Sequence, residues 1–105
     1  MDPIKTIQAD LLGVEIYNSR DSMGKKASGD IAACIRELLK EQDEVNMIFA
    51  AAPSQNEMLE YLVAAKGIDW KRINAFHMDE YVWLSYDAPQ RFGNYLKNRI
   101  FSRLP

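Results

Sequence analysis

Arg72-Ile-Asn-Ala-Phe-His-Met-Asp-Glu-Tyr81 opens as an apolar strand and ends abruptly in two neighbouring carboxylates, Asp79 and Glu80. A hydrophobic strand that delivers acids at its C-terminal end is the pattern of an α/β active site. Ligands of open parallel sheets bind beyond the carboxyl ends of the strands. In an extended chain adjacent side chains point to opposite faces, so the two acids are expected to do different jobs. Read alone, an acidic pair after a strand is more often a turn or a helix cap than a catalytic pair, and both readings stay open at this point.

Upstream, Val45-Asn-Met-Ile-Phe-Ala50 is a nearly continuous apolar run, the pattern of a strand buried on both faces of a parallel sheet. Ala51-Ala-Pro53 ends it, and Ser54-Gln-Asn-Glu57 fits a capping box with Ser54 as N-cap and Glu57 at N3. Met58, Leu59, Leu62, Val63 and Ala65 give the following helix an inner face, and Gly67 is a left-handed stop. Earlier still, Val14-Glu-Ile-Tyr17 alternates as a short strand, and Asn18, Ser19 and Asp21 offer caps. Met23, Ala27, Ile31, Ile35, Leu38 and Leu39 then recur at threes and fours, predicting a helix over residues 22–41. Gly24 and Gly29 each weaken that helix by about 1 kcal/mol against alanine. Close packing of Gly29 on a sheet is one reason for such a residue there. Residues 1–13 read as an arm with one helical turn. Downstream, Asp87-Ala-Pro89 restarts a helix whose apolar face is Phe92, Tyr95, Leu96, Ile100, Phe101 and Leu104.

The order β-α-β-α-β-α predicts an α/β, Rossmann-like parallel sheet with helices on both faces. Residues 14–105 supply three of its strands. The chain stops at Leu104-Pro105, after a helix that should lead into another strand, and a three-strand sheet leaves two open edges. The expectation is the N-terminal portion of a larger doubly wound domain, with open edges that admit a homo-oligomer.

Composition narrows the function classes. Of the 105 residues 48% are hydrophobic and 27% charged, ordinary for a globular domain and too apolar for disorder. The net charge of −2 comes without a Lys/Arg run, so neither nucleic acid nor a membrane surface is an expected partner. One cysteine, Cys34, excludes an internal disulfide and reads as a buried inert thiol. No stretch reads as a secretory signal or a membrane span, which makes a cytoplasmic setting the default expectation. His77 is the lone histidine; it reads as packed and hydrogen-bonded, and no metal site or cofactor is called for.

Phe76-His-Met-Asp-Glu-Tyr-Val82 resembles the Phe-Asn-Met-Asp-Glu-Tyr-Val signature of glucosamine-6-phosphate isomerases/deaminases. The resemblance implies a sugar phosphate as the small-molecule partner. It implies that Asp79 is the base that moves a proton between C2 and C1 of the open-chain sugar. Glu80 supports it by fixing the loop or a neighbouring cation. The 6-phosphogluconolactonases share the implied fold but resemble Asp-Glu-Arg where this chain has Asp79-Glu80-Tyr81. The family's phosphate loop reads Leu-Pro-Thr-Gly-Gly-Thr-Pro. Pro53 and Ser54 match its Pro-Thr, whereas Gln55 and Asn56 occupy the glycine region in a loop one residue shorter. A phosphate is then expected on the Ser54 hydroxyl and the amides of Gln55 and Asn56, with Glu57 swung away. Pro89-Gln-Arg-Phe-Gly-Asn-Tyr-Leu96 resembles the family's Glu-Ser-Tyr-x-x-Phe segment. Phe92 and Tyr95 stand at its aromatic positions, and Arg91 replaces the Ser. The family's later Asp-Gly-His motif for ring opening is absent from these residues, so the isolated chain is expected to be inactive. The other functions weighed are a non-catalytic sugar-phosphate-binding or regulatory module, a lactonase-like hydrolase, and a protein-interaction module.

Overall fold

A computed structural model describes residues 2–105. The chain runs β1 (Lys5–Ala9), β2 (Leu12–Ile16), α1 (Arg20–Glu41), β3 (Val45–Phe49), α2 (Asn56–Ala64), β4 (Ile73–His77) and α3 (Phe92–Arg99). Single 3₁₀ turns lie at Pro53–Gln55, Trp70–Arg72 and Phe101–Arg103. The two apolar runs pair in parallel, from Val45 opposite Ile73 to Phe49 opposite His77. Parallel neighbours need a crossover, and α2 supplies it. The α/β class with a parallel sheet is therefore what forms.

Three expectations about the strands are corrected. Leu12–Ile16 pairs antiparallel with Lys5–Ala9 and not with β3, so the parallel sheet has two strands among the described residues. The part of the arm expected to be a helical turn is the first strand of this hairpin. Ala9 and Leu12 face each other across a two-residue turn, with Asp10 in the left-handed region at φ 52°. Such a turn suits the right-handed strand twist, and a short loop closes at little entropic cost. The third correction concerns burial. Val45 and Phe49 are buried, but Ile48 is 69% exposed and its ladder partner Phe76 54% exposed. On the covered face Phe49 joins Ala32, Leu59, Leu62, Leu96 and Ile100 in one core. The helices cover one face of the sheet; the expected cover on both is not formed by the described residues.

Ser19 starts α1, accepting from the amide of Ser22. The residues that α1 buries are Ser22, Gly24, Ser28, Ala32 and Ile35. Met23 and Leu38, expected on the inner stripe, are exposed. A stripe of small residues lets two helices approach closely. At Gly24 an added Cβ would lie 2.8 Å from both the Glu57 Cβ and the Met58 nitrogen, whereas at Gly29 it would meet nothing within 4 Å. The close approach is thus at Gly24 against α2, and not at Gly29 against the sheet. Cys34 is exposed, which corrects its reading as a buried thiol.

Arg72 ties the far end of α1 to the start of β4. Its guanidinium donates to the carbonyls of Leu39, Gln42 and Asp43 at 2.7–2.9 Å. The carbonyls of Leu39 and Gln42 are among those that a helix C-terminus leaves without partners, and a cation there also suits the helix dipole. The last helix begins at Phe92 and not near Asp87. Pro89 sits in preceding turns, closed by Ala88 donating to Ser85 and Arg91 donating to Ala88.

Candidate functional site

β3 and β4 end side by side, and the Met78 amide extends the ladder by donating to the Phe49 carbonyl at 2.8 Å. Asp79 follows directly. On the neighbouring strand the chain passes through Ala50 and Ala52 into the 3₁₀ turn Pro53–Gln55 and then α2. The two candidate segments therefore rise from adjacent strand ends at one edge of the sheet.

The two acids diverge. Asp79 is exposed, so the partial desolvation expected of a base is not present among the described residues. Its carbonyl lies 2.8 Å from the His77 Nδ1. A carbonyl only accepts, so Nδ1 carries the proton and donates. His77 is itself exposed rather than packed. Glu80 turns inward, its side chain 18% exposed. It accepts from the amides of Tyr81, Phe92 and Gly93 at 3.0, 2.8 and 2.9 Å, with the Arg91 Nε at 3.4 Å. The residue preceding α3, Arg91, caps nothing with its own side chain; Glu80 does so from across the loop. Burial alone would raise the Glu80 carboxyl. The amides of Gly93, Phe92 and Tyr81 and the Arg91 cation outweigh it and hold the group below its ordinary range.

A carboxylate depressed in the folded state stabilises the fold above its unfolded pKa, and this contribution is lost as pH falls through its folded pKa. Urea unfolding followed from pH 7 to pH 3 is expected to show a smaller loss of stability for Glu80→Gln than for the unsubstituted chain. At pH 7 the Gln variant is expected to be the less stable of the two. Equal pH slopes would contradict this role.

The rest of the loop folds back on the first turn of α3. Arg91 stacks on the Tyr86 ring at 4.4 Å, Tyr81 meets Phe92 at 4.7 Å, and Asn94 donates to the carbonyls of Tyr86 and Ala88. Trp83 is the exception: it is 97% exposed and held at φ 72°. The left-handed region costs a non-glycine residue about 1–2 kcal/mol, partly offset on substitution by the greater unfolded-state freedom of glycine. Trp83→Gly is expected to stabilise the chain by about 0.5 kcal/mol; a lowered urea midpoint would contradict it.

The Pro53–Gln55 turn differs from the capping box read in the sequence. Neither the turn nor α2 has a side-chain cap. The 3₁₀ turn delays α2 to Asn56, which takes Ser54 and Glu57 out of the N-cap and N3 positions. Glu57 instead pairs with the Arg20 Nη2 at 2.8 Å, and that nitrogen also donates to the Pro53 carbonyl at 2.7 Å. Its carboxyl is held below the ordinary range, first by this hydrogen bond and then by its own amide. Ser54 is exposed. The Gln55 amide donates to Ala52 and the Asn56 amide to Pro53, so both amides expected to face a phosphate are engaged inside the turn. The Gln55 side chain donates to the Ala50 carbonyl. The Tyr95 hydroxyl lies 2.8 Å from the Ala52 carbonyl and 2.6 Å from the Asn56 carboxamide oxygen.

Sequence reading missed Arg20 and the Tyr95 hydroxyl. Arg20 carried no signal, because its partner lies 37 residues away. Tyr95 carried one: a tyrosine in an otherwise apolar stripe needs a partner for its hydroxyl. Clefts of 210–320 Å³ open elsewhere, around Arg36 and Arg72, around Glu57 and Tyr61, and beside Cys34. Among the described residues no group of three or more His, Cys, Asp or Glu could hold a metal ion. Among the described residues no helix is long and apolar enough to cross a membrane.

A parallel strand pair with a helical crossover, its loops gathered at the carboxyl ends, defines part of a Rossmann-type α/β domain. A monomeric glucosamine-6-phosphate deaminase shares the fold with TM-score 0.70 at 21% identity, over 82% of this chain and 35% of its own. A 6-phosphogluconolactonase from Shewanella baltica does so with TM-score 0.73 at 15% identity, over 80% and 35%. In sequence, the glucosamine-6-phosphate deaminase of Clostridium acetobutylicum is 31% identical over 85 residues, 80% of this chain and 34% of its own length. That of Pseudarthrobacter chlorophenolicus is 31% identical over 84 residues, 77% and 32%. No family model matches. The chain is thus similar to glucosamine-6-phosphate deaminases over most of its own residues, and it spans about a third of their length.

Proposed function

We propose that this chain is the part of a glucosamine-6-phosphate deaminase-like enzyme that carries the base, Asp79, and the start of the phosphate site. The supporting observation is the position of Asp79, directly off the end of β4 and beside the strand end that feeds the Pro53–Gln55 turn. In the reaction the carboxylate takes the proton from C2 of the open-chain amino sugar, leaving an enolamine. The proton is returned at C1, and the resulting C2 imine is hydrolysed by water to the ketone and ammonia. Glu80 holds the loop that carries the base. The Ser54 hydroxyl receives the phosphate, joined by the amides of Gln55 and Asn56 once the turn has released them. Asp79 is exposed here, and the rest of a complete domain would cover it and hold the substrate against it.

The test compares ammonia release from glucosamine 6-phosphate by two proteins. One is this chain alone. The other is a chimera that continues it with the remaining two-thirds of the Clostridium acetobutylicum deaminase. The chimera is expected to release ammonia and the chain alone to release none. The exposure of Asp79 favours a second reading, a phosphosugar-binding module without turnover. A folded chimera that binds the phosphosugar and releases no ammonia would establish that reading against the first.

A further inference from the structure

The Tyr95 hydroxyl is the one polar group of α3 that reaches the candidate phosphate turn. A hydroxyl has one proton, and both of its hydrogen-bond partners are oxygens as placed, the Ala52 carbonyl and the Asn56 Oδ1, with the Gln55 carboxamide also facing it. Both contacts are satisfied if Tyr95 donates to Ala52 and the Asn56 carboxamide is turned so that its NH₂ donates to Tyr95. Burial pushes the phenol above its ordinary range, so it remains a donor at neutral pH. The hydroxyl thus joins both ends of the turn whose inner amides are already spent. Arg20 on Pro53 and Gln55 on Ala50 brace the same carbonyl row. In the Tyr-x-x-Phe motif that this segment resembles, the hydroxyl stands on the first aromatic. Here Phe92 lacks it and Tyr95 carries it, in a chain whose turn has Gln55 and Asn56 in the glycine region.

We propose that Tyr95 is a positioning residue that latches the Pro53–Gln55 turn closed, so that its bond to Ala52 and the binding of a phosphate monoester by the Gln55 and Asn56 amides exclude each other. The anion half of this inference rests on the phosphate site proposed above; the latch itself does not. Glu80 belongs to the same device. By capping Phe92 and Gly93 it fixes the first turn of α3, and Tyr95 lies one turn along. The loop of the base and the phosphate turn are therefore linked through one short helix.

Two measurements on the full 105-residue chain separate the halves. Amide hydrogen exchange by NMR is expected to be at least tenfold faster at Gln55 and Asn56 in Tyr95→Phe, with Leu59 unchanged. Unchanged exchange at Gln55 and Asn56 would overturn the latch. Titration with inorganic phosphate and with glucosamine 6-phosphate, read at the same two amides, is expected to show severalfold tighter binding in Tyr95→Phe. A residue with only a packing role would give weaker binding when altered, and weaker or equal affinity would overturn the exclusion. Faster exchange with no anion bound by either protein would keep the latch and sink the phosphate site. Should Tyr95→Phe not fold, Asn56→Ala removes a partner of the hydroxyl without touching α3, and faster exchange at the Gln55 amide is expected of it.

Discussion

Gly24→Ala is expected to destabilise the chain by about 2 kcal/mol, while Gly29→Ala, in the same helix, is expected to stabilise it by about 1 kcal/mol. Both substitutions remove a helix-interior glycine and gain the same propensity, about 1 kcal/mol. They differ only in what the new methyl meets. At Gly24 it would lie 2.8 Å from the Met58 nitrogen and 3.0 Å from the Glu57 carbonyl carbon. These are backbone atoms of α2 that cannot swing aside, so the two helices must separate, and the cost is set at the upper end of the usual overpacking range, about 3 kcal/mol. Separation would also strain the Arg20–Glu57 and Tyr61–Asp21 contacts that join the same two helices. At Gly29 the methyl enters open space. For a domain of this size the loss at Gly24 corresponds to a fall in Tm of roughly 10 °C. Thermal unfolding of the two variants side by side checks it, and equal shifts would contradict the close crossing.

Asp79→Asn, in a complete domain that carries this segment, is expected to lower kcat for ammonia release by about 10²–10⁴-fold, the usual contribution of a positioned general base. The asparagine keeps the size and hydrogen-bonding reach of the side chain but cannot take up a proton. Phosphosugar affinity should change by no more than about twofold, because the role proposed for Asp79 is on the C2 proton and not on the phosphate. A variant that keeps its kcat, or loses binding in step with it, would remove Asp79 from the role of base.

The parts of the fold that could be read from sequence are those fixed by local pattern. The continuous apolar run 45–50 and the run 73–78 gave two strands, the spacing of Leu59 and Leu62 gave the helix between them, and the alternation gave parallel pairing. What could not be read depends on partners distant in sequence. A two-residue turn at Asp10 takes Leu12–Ile16 away from the parallel sheet, and no periodicity in residues 14–17 announces it. Counting large apolar residues put Met23 and Leu38 inward on α1, because close helix packing is achieved by the small ones, Gly24, Ser28 and Ala32. At the site, the acids after β4 were visible as a pair with different jobs, and the partners that separate them were not. Glu80 is drawn in by amides 12 and 13 residues downstream. The capping box at Ser54 has the right letters, but it gave way to a 3₁₀ turn and an arginine from α1.

The fate of deuterium placed at C2 of glucosamine 6-phosphate tests most directly whether Asp79 is the base. The label is followed by NMR with the chimera and with its Asp79→Asn variant. With Asp79 present the deuterium is expected to leave C2 as ammonia is released; with the variant it should stay on C2 while the phosphosugar still binds. Loss of the label from C2 at the same rate in both proteins would contradict the role assigned to this carboxylate.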